Sequence, residues 1–221
     1  MTANVHPGGL TRREEYAEAT RQAILTAARR LFSERGFFAT KVDDIAALAR
    51  VAPATVYAVS GGKHGLLSTL MEIWSTAPII AVTLDRVREL DDPAAILQLV
   101  ASATRNMREE AGDIVRVLLN TAPHDKGVSE NLAVATARYR QALVPIAQRL
   151  MDLGALRDGI DGKHAAEVLW FYFGYSGLFT LHDDNGWSYE RAERWLCDEA
   201  SRTLLREPAL PRHSRDGLPA S

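Results

Sequence analysis

Between Ala49 and Pro53 stand only Arg50, Val51 and Ala52, and that short gap constrains this chain more than any other feature. On its N-terminal side Val42, Ile45, Ala46 and Ala49 share one face at helical spacing. On its C-terminal side Pro53 marks a second helix start, where a missing N–H costs nothing. Three residues are too few for a strand, so the chain must turn sharply from one short helix into another, a helix-turn-helix over about residues 41–60. Thr40 followed by Asp43 reads as the opening of the first helix: the hydroxyl accepts an amide of the first turn, and the carboxylate sits at the positive helix end.

The flanks carry the same period. Ile24, Ala27, Ala28, Leu31 and Phe32 form a stripe that stops at Gly36, which predicts a supporting helix from about Glu15 to Arg35. Lys63, Leu66, Leu67, Leu70, Met71 and Trp74 predict a fourth helix that runs on into the rest of the chain. After Pro78 no alternating pattern of useful length appears. Helices are expected over 93–110, 114–121 and 129–153, the last with a kink at Pro145, then one capped by Asp161 and reaching about His182, and one capped by Ser188 over 189–205. The fold class is all-α, with about nine helices.

These residues resemble the TetR family of bacterial transcriptional regulators. The resemblance runs from about Thr20 to Leu67 and rests on Ile24-Leu25, Ala27-Ala28, Leu31-Phe32, Glu34, Gly36-Phe37, Thr40, Ile45-Ala46, Ala49, Val51, Thr55-Val56-Tyr57, Lys63 and Leu66-Leu67. It implies a three-helix DNA-binding head and a helical body that dimerises and binds an effector. The corresponding division is a flexible arm over 1–17, the head over 18–77, the body over 78–207 and a disordered tail over 208–221. Four positions depart from the family pattern: glycine is usual where Arg50 stands, a serine cap at Ala52, glycine at Ala54 and an aromatic at Ser60. A lost side-chain cap costs about 1 kcal/mol.

By the same resemblance Thr55 and Tyr57 face DNA, Tyr57 and Lys63 hold phosphates and Thr40 adds a contact; the side chains themselves add Pro53 and Ala54, and Arg50 for a phosphate or a base. The side chains of Pro53, Ala54 and Thr55 offer methylene, methyl and hydroxyl groups, which suit thymine methyls better than guanine edges. The formal charge of −2 does not announce nucleic acid, but residues 1–75 carry nine Lys/Arg against seven Asp/Glu, leaving +2 there and −4 in the remainder. Affinity then rests on a few placed cations.

The expected body helix over 164–182 is apolar on nearly every side, and the last helix carries a narrower stripe. Paired across a two-fold axis they make a four-helix bundle through Ala166, Trp170, Phe173, Gly174, Gly177, Trp195, Leu196 and Ala200, the glycines allowing close approach. Effector contacts are sought among Trp74, Arg116, Asn120, Trp170, Phe171, Tyr175 and His182. The expected partners are thus a near-palindromic double-stranded DNA operator, an unidentified small molecule and a second copy of the chain.

Other classes fit less well. Ser60-Gly61-Gly62-Lys63 lacks the spacing of a phosphate loop, Gly174 to Gly177 lacks that of a nucleophile elbow, and His164 with Glu167 has no second pair for a di-iron bundle. No enzyme activity, cofactor or metal is expected. The alternative is a helical protein-interaction adaptor without specific DNA binding. Cys197 is the only cysteine, no secretion signal opens the chain, and the most membrane-like run, Val168 to Leu181, is short of the ~20 residues a bilayer requires. A cytoplasmic protein with no membrane partner is expected.

Overall fold

The computed structural model describes residues 11–206. Among them the α-helices are α1 (Arg12–Arg35), α2 (Val42–Ala49), α3 (Pro53–Ser60), α4 (Lys63–Ser75), α5 (Pro78–Glu89), α6 (Pro93–Thr121), α7 (Lys126–Asp152), α8 (Gly162–Phe173), α9 (Ser176–Phe179) and α10 (Tyr189–Leu204), and no strand is formed. A single antiparallel bridge pairs Leu156 with Leu205. The tail expected over 208–221 and the first ten residues lie outside the described residues.

Three element boundaries differ from expectation. Helix α1 starts at Arg12, inside the stretch expected as a flexible arm, because Thr11 and Glu14 form a reciprocal capping box that satisfies the first amides. Helix α6 runs without a break through Ala111-Gly112-Asp113, where two helices were expected. Asp113 does not cap a new helix: its carboxylate takes two hydrogen bonds at 2.8 Å from the Arg29 guanidinium of α1 and one at 3.1 Å from Ser33. Helix α8 stops at Gly174 rather than reaching His182; the Gly174 N–H closes on Trp170 O at 2.8 Å and its backbone then turns extended. The chain restarts as α9 and loosens into a π-helical turn over Thr180–Asp184. Asp161 and Ser188 cap α8 and α10 as expected, accepting from the N–H groups of His164 and Arg191. Pro145 is accommodated inside α7.

The described residues fall into two compact units, 11–82 with 103–142 and 83–102 with 143–206. In the first, α1 packs on α2 and α4, and α3 closes against both of its neighbours. Its core is Ile24, Ala28, Phe32, Ile45, Ala46, Val56, Leu66 and Leu67, each 0–1% exposed. The larger side chains among these, from Val56 to Phe32, contribute about 1.5–3 kcal/mol apiece when fully buried. Arg108 is also 1% exposed, its guanidinium 5.8 Å from the ring of Trp74 and 5.7 Å from that of Tyr139. In the second unit α8, α9 and α10 pack together around Leu169, Phe173, Leu178, Leu196, Ala200 and Leu204. The Glu193 carboxylate accepts from Gln98 and Ser102.

Among the described residues the stretch Lys63–Glu89, not Val168–Leu181, is the one whose length and mean hydropathy of 1.4 would suffice for a bilayer. It is broken at Thr76–Ala77 into helices of 13 and 12 residues. Each is shorter than the ~20 residues a crossing requires.

Candidate nucleic-acid interface

The corner between α2 and α3 is a Schellman turn. The Val51 N–H donates to Ala46 O at 3.0 Å and the Arg50 N–H to Ala47 O at 3.2 Å, while Arg50 itself sits at φ 58°, ψ 42°. Arg50 is the one non-glycine residue with positive φ among the described residues. The same turn recurs after α7, where the position is Gly154 at φ 63°. A side chain in this left-handed region costs about 1–2 kcal/mol that glycine avoids. The guanidinium is carried outward at the corner, exposed.

Helix α3 begins at Pro53 after Ala52, whose backbone has the extended cap geometry but whose side chain makes no capping bond. Val56 is wholly buried and fixes the helix's orientation. Ala54 and Ala58, two residues before and after it, are exposed on the opposite face. Thr55 lies at the edge, half-buried, and Tyr57 is 56% exposed. The Tyr57 ring rests on Gly62, where a Cβ would approach a ring carbon to 3.1 Å. Gly65 is needed for the closing corner: a Cβ there would stand 1.6 Å from the carbonyl oxygen of Ser60.

Two residues expected to touch DNA have other tasks. Thr40 is 1% exposed, and its hydroxyl donates inward to Gly36 O at 2.8 Å and Leu31 O at 3.2 Å. The residue that opens α2 is Lys41, with no side-chain cap, so Asp43 and Asp44 supply only the helix-end charge. Lys63, expected on a phosphate, is engaged within the chain. Its ammonium donates to Phe37 O at 3.0 Å, Thr40 O at 3.4 Å and Phe38 O at 3.5 Å and lies 4.5 Å from the centre of the Phe37 ring. It fastens the α1–α2 loop to the start of α4. Next to it the His64 ring nitrogen lies 2.8 Å from Asp125, whose carboxyl is held below its usual range by that hydrogen bond and by the Val128 N–H.

Residues 24–70 match the family described as bacterial regulatory proteins, tetR family. Over that stretch the chain is similar to the TetR family. It is 27% identical over 178 residues to the HTH-type transcriptional regulator YdeS of Bacillus subtilis (strain 168), covering 79% of this chain and 85% of that one. It is 27% identical over 169 residues to the HTH-type transcriptional repressor NicS of Pseudomonas putida, covering 72% and 78%. The structure of the SmeT–triclosan complex superposes with a TM-score of 0.72 at 21% identity, over 91% of this chain and all of that one. The fold is thus that of the SmeT structure, and its helix-turn-helix segment is similar to that of bacterial regulatory proteins of the tetR family.

The expected effector residues are dispersed. Trp74 is a core residue packed by Arg108. Arg116 and Asn120 line a cleft of about 640 Å³ with Ser33, Arg35 and Phe38. Trp170, Phe171 and Tyr175 line an open groove of about 650 Å³ with Tyr172 and Trp195. His182 stacks on Tyr189 at 3.9 Å, its Nδ1 2.8 Å from Trp187 O. Sequence reasoning missed Arg108, Ala58 and Gly65; Arg108 was detectable as a charge falling on the apolar stripe of Leu97, Ala101, Thr104 and Val115.

The expected interface residues also divide. Phe173, Leu196 and Ala200 are at most 3% exposed and fill the core of their own unit. Gly174 lies against its own helix, where a Cβ would meet Trp170 O at 2.4 Å, and at Gly177 one would meet Tyr172 O at 2.9 Å, so both glycines answer to contacts within the chain. Ala166 and Trp170 are half-buried and Trp195 is 42% exposed. Phe171, expected in the effector pocket, is 74% exposed.

Proposed function

We propose that this protein is a homodimeric repressor that leaves a near-palindromic operator when a small molecule binds its helical body. The observation that carries the dimer is the pair Phe171 and Trp195, large aromatics exposed on α8 and α10 and lining one groove. Burying such groups against a second copy removes apolar surface from water on both sides of a two-fold axis. The name of NicS supports repression, and the SmeT–triclosan complex supports a small-molecule effector. DNA contacts fall to Arg50, Pro53, Ala54, Thr55 and Tyr57, with Thr40 and Lys63 shaping the loop beneath them. Two α3 helices then meet successive major grooves about 34–36 Å apart. An effector that prefers a different spacing weakens the complex by its difference in affinity for the two states.

The test combines a mobility shift on the gene's own upstream DNA with sedimentation. The parent should sediment as a dimer and form a specific complex whose affinity falls steeply with salt. Phe171→Lys with Trp195→Lys should give a folded monomer that loses specific binding. A parent that is monomeric while binding operator in full would defeat the proposal.

A further inference from the structure

The outward face of α3 carries no charged and no amide side chain. Guanine is read in the major groove chiefly by Arg or Lys, and adenine by Asn or Gln. None of these occurs between Pro53 and Ser60. The Ser60 hydroxyl is engaged at home, donating to Val56 O at 2.8 Å and lying 3.2 Å from Gly62 O. What remains outward is the Pro53 ring, the methyls of Ala54 and Ala58, the edge of Thr55, the Tyr57 side chain and Val59, which is 39% exposed. The cations stand off the helix, Arg50 at the corner and Lys41 at the start of α2, both exposed. Such a frame suits a groove: phosphates on its walls meet the cations, and the floor meets an apolar helix. The apolar group on that floor is the C5 methyl of thymine.

We propose that this regulator reads its half-site through thymine methyl groups, with Ala54 and Ala58 as the specificity-determining residues and Thr55 and Tyr57 beside them. The inference rests on α3 being the recognition helix. Two alanines one turn apart let the helix backbone approach the bases closely, so each methyl pair is desolvated on contact. Selected half-sites are therefore rich in thymine at the centre of the contact, and a guanine-centred half-site is disfavoured because no Arg or Lys on α3 can meet its O6 and N7 acceptors together.

The experiment selects duplexes from a randomised pool with the full chain, then replaces each thymine of the selected half-site by uracil, which lacks only the methyl. Affinity should fall about three- to fivefold at each of two or more central positions, the burial value of one methyl group, and should not change at thymines outside the half-site. An Ala58→Arg variant should shift the selected sequence toward guanine while leaving the dimer intact. Specific binding that is indifferent to every uracil replacement overturns methyl readout and leaves DNA recognition standing. Failure to select any sequence overturns the recognition-helix reading itself.

Discussion

The ammonium of Lys63 donates to the carbonyl oxygen of Phe37 at 3.0 Å and at the same time lies 4.5 Å from the centre of that residue's ring. One cation thereby holds both the backbone and the side chain of the loop that leads into α2. Hydrogen bonds from charged groups contribute about 1.5–3 kcal/mol, and a cation over an aromatic face adds ~0.5–1. Lys63→Met should lower the urea midpoint by a stability change in this range and weaken operator binding. The dependence of log affinity on log salt should keep its slope, because no phosphate contact is lost. A lysine bound to phosphate would instead take about one unit from that slope.

Arg50 in the left-handed region gives a second expectation. Arg50→Gly should raise stability by ~1 kcal/mol in chemical denaturation, and Arg50→Val should lower it, since a β-branched residue tolerates that backbone least. If the arginine holds a phosphate, the glycine variant will be the more stable protein and the weaker binder, with a salt slope smaller by about one. Equal stability of parent and glycine variant would mean that the corner carries no strain.

Gly65 and Gly61 form a matched pair. A Cβ at Gly65 would overlap the carbonyl oxygen of Ser60, a backbone atom with nowhere to go, whereas at Gly61 it meets nothing within 4 Å and only the positive φ of 71° opposes it. Gly61→Ala should cost about 1–2 kcal/mol. Gly65→Ala should cost more and should spread α3 from α4, visible as lost operator binding at temperatures where circular dichroism remains helical. The reverse order of the two costs would refute the packing of this corner.

The pairing of Asp113 with Arg29 is pH-dependent in a definite direction. Burial pushes the carboxyl up, but the Arg29 hydrogen bond, the Ile114 N–H, the Arg29 charge and the Ser33 hydroxyl outweigh it, leaving Asp113 below its ordinary value. Its contribution is complete above the unfolded value of about 3.9 and disappears as pH falls through the lower folded value. Asp113→Asn should therefore melt below the parent at pH 7, and the difference should close on acidification below about pH 4. A gap as wide at pH 3 as at pH 7 would contradict the pairing.

Much of the head was legible because its signals are local. The stripe from Ile24 to Phe32, the stop at Gly36 and the three-residue gap before Pro53 each concern neighbours within a turn or two. The partners of Thr40 and Lys63 inside the chain were not legible, for the opposite reason. A threonine before a helix looks like a cap, and only the folded loop reveals that Leu31 O and Gly36 O compete for its hydroxyl. Lys63 finds its partners 23 to 26 residues back. Gly112-Asp113 has the composition of a break, yet Arg29, 84 residues away in sequence, takes the carboxylate and the helix continues. Thr11-x-x-Glu14 was a local signal overlooked, hence the late start assigned to α1. The effector and interface residues scattered because helical period marks an apolar side chain without saying which of two buried faces it serves; Phe171 and Phe173, two positions apart on α8, ended at 74% and 1% exposure.

An uncharged α3 separates how tightly the protein holds DNA from which DNA it chooses. On the reading proposed above, ionic strength acts through the cations beside the helix, Lys41 and Arg50 among them, and lowers occupancy at every site in the same proportion. The ranking of sites would stay as it was.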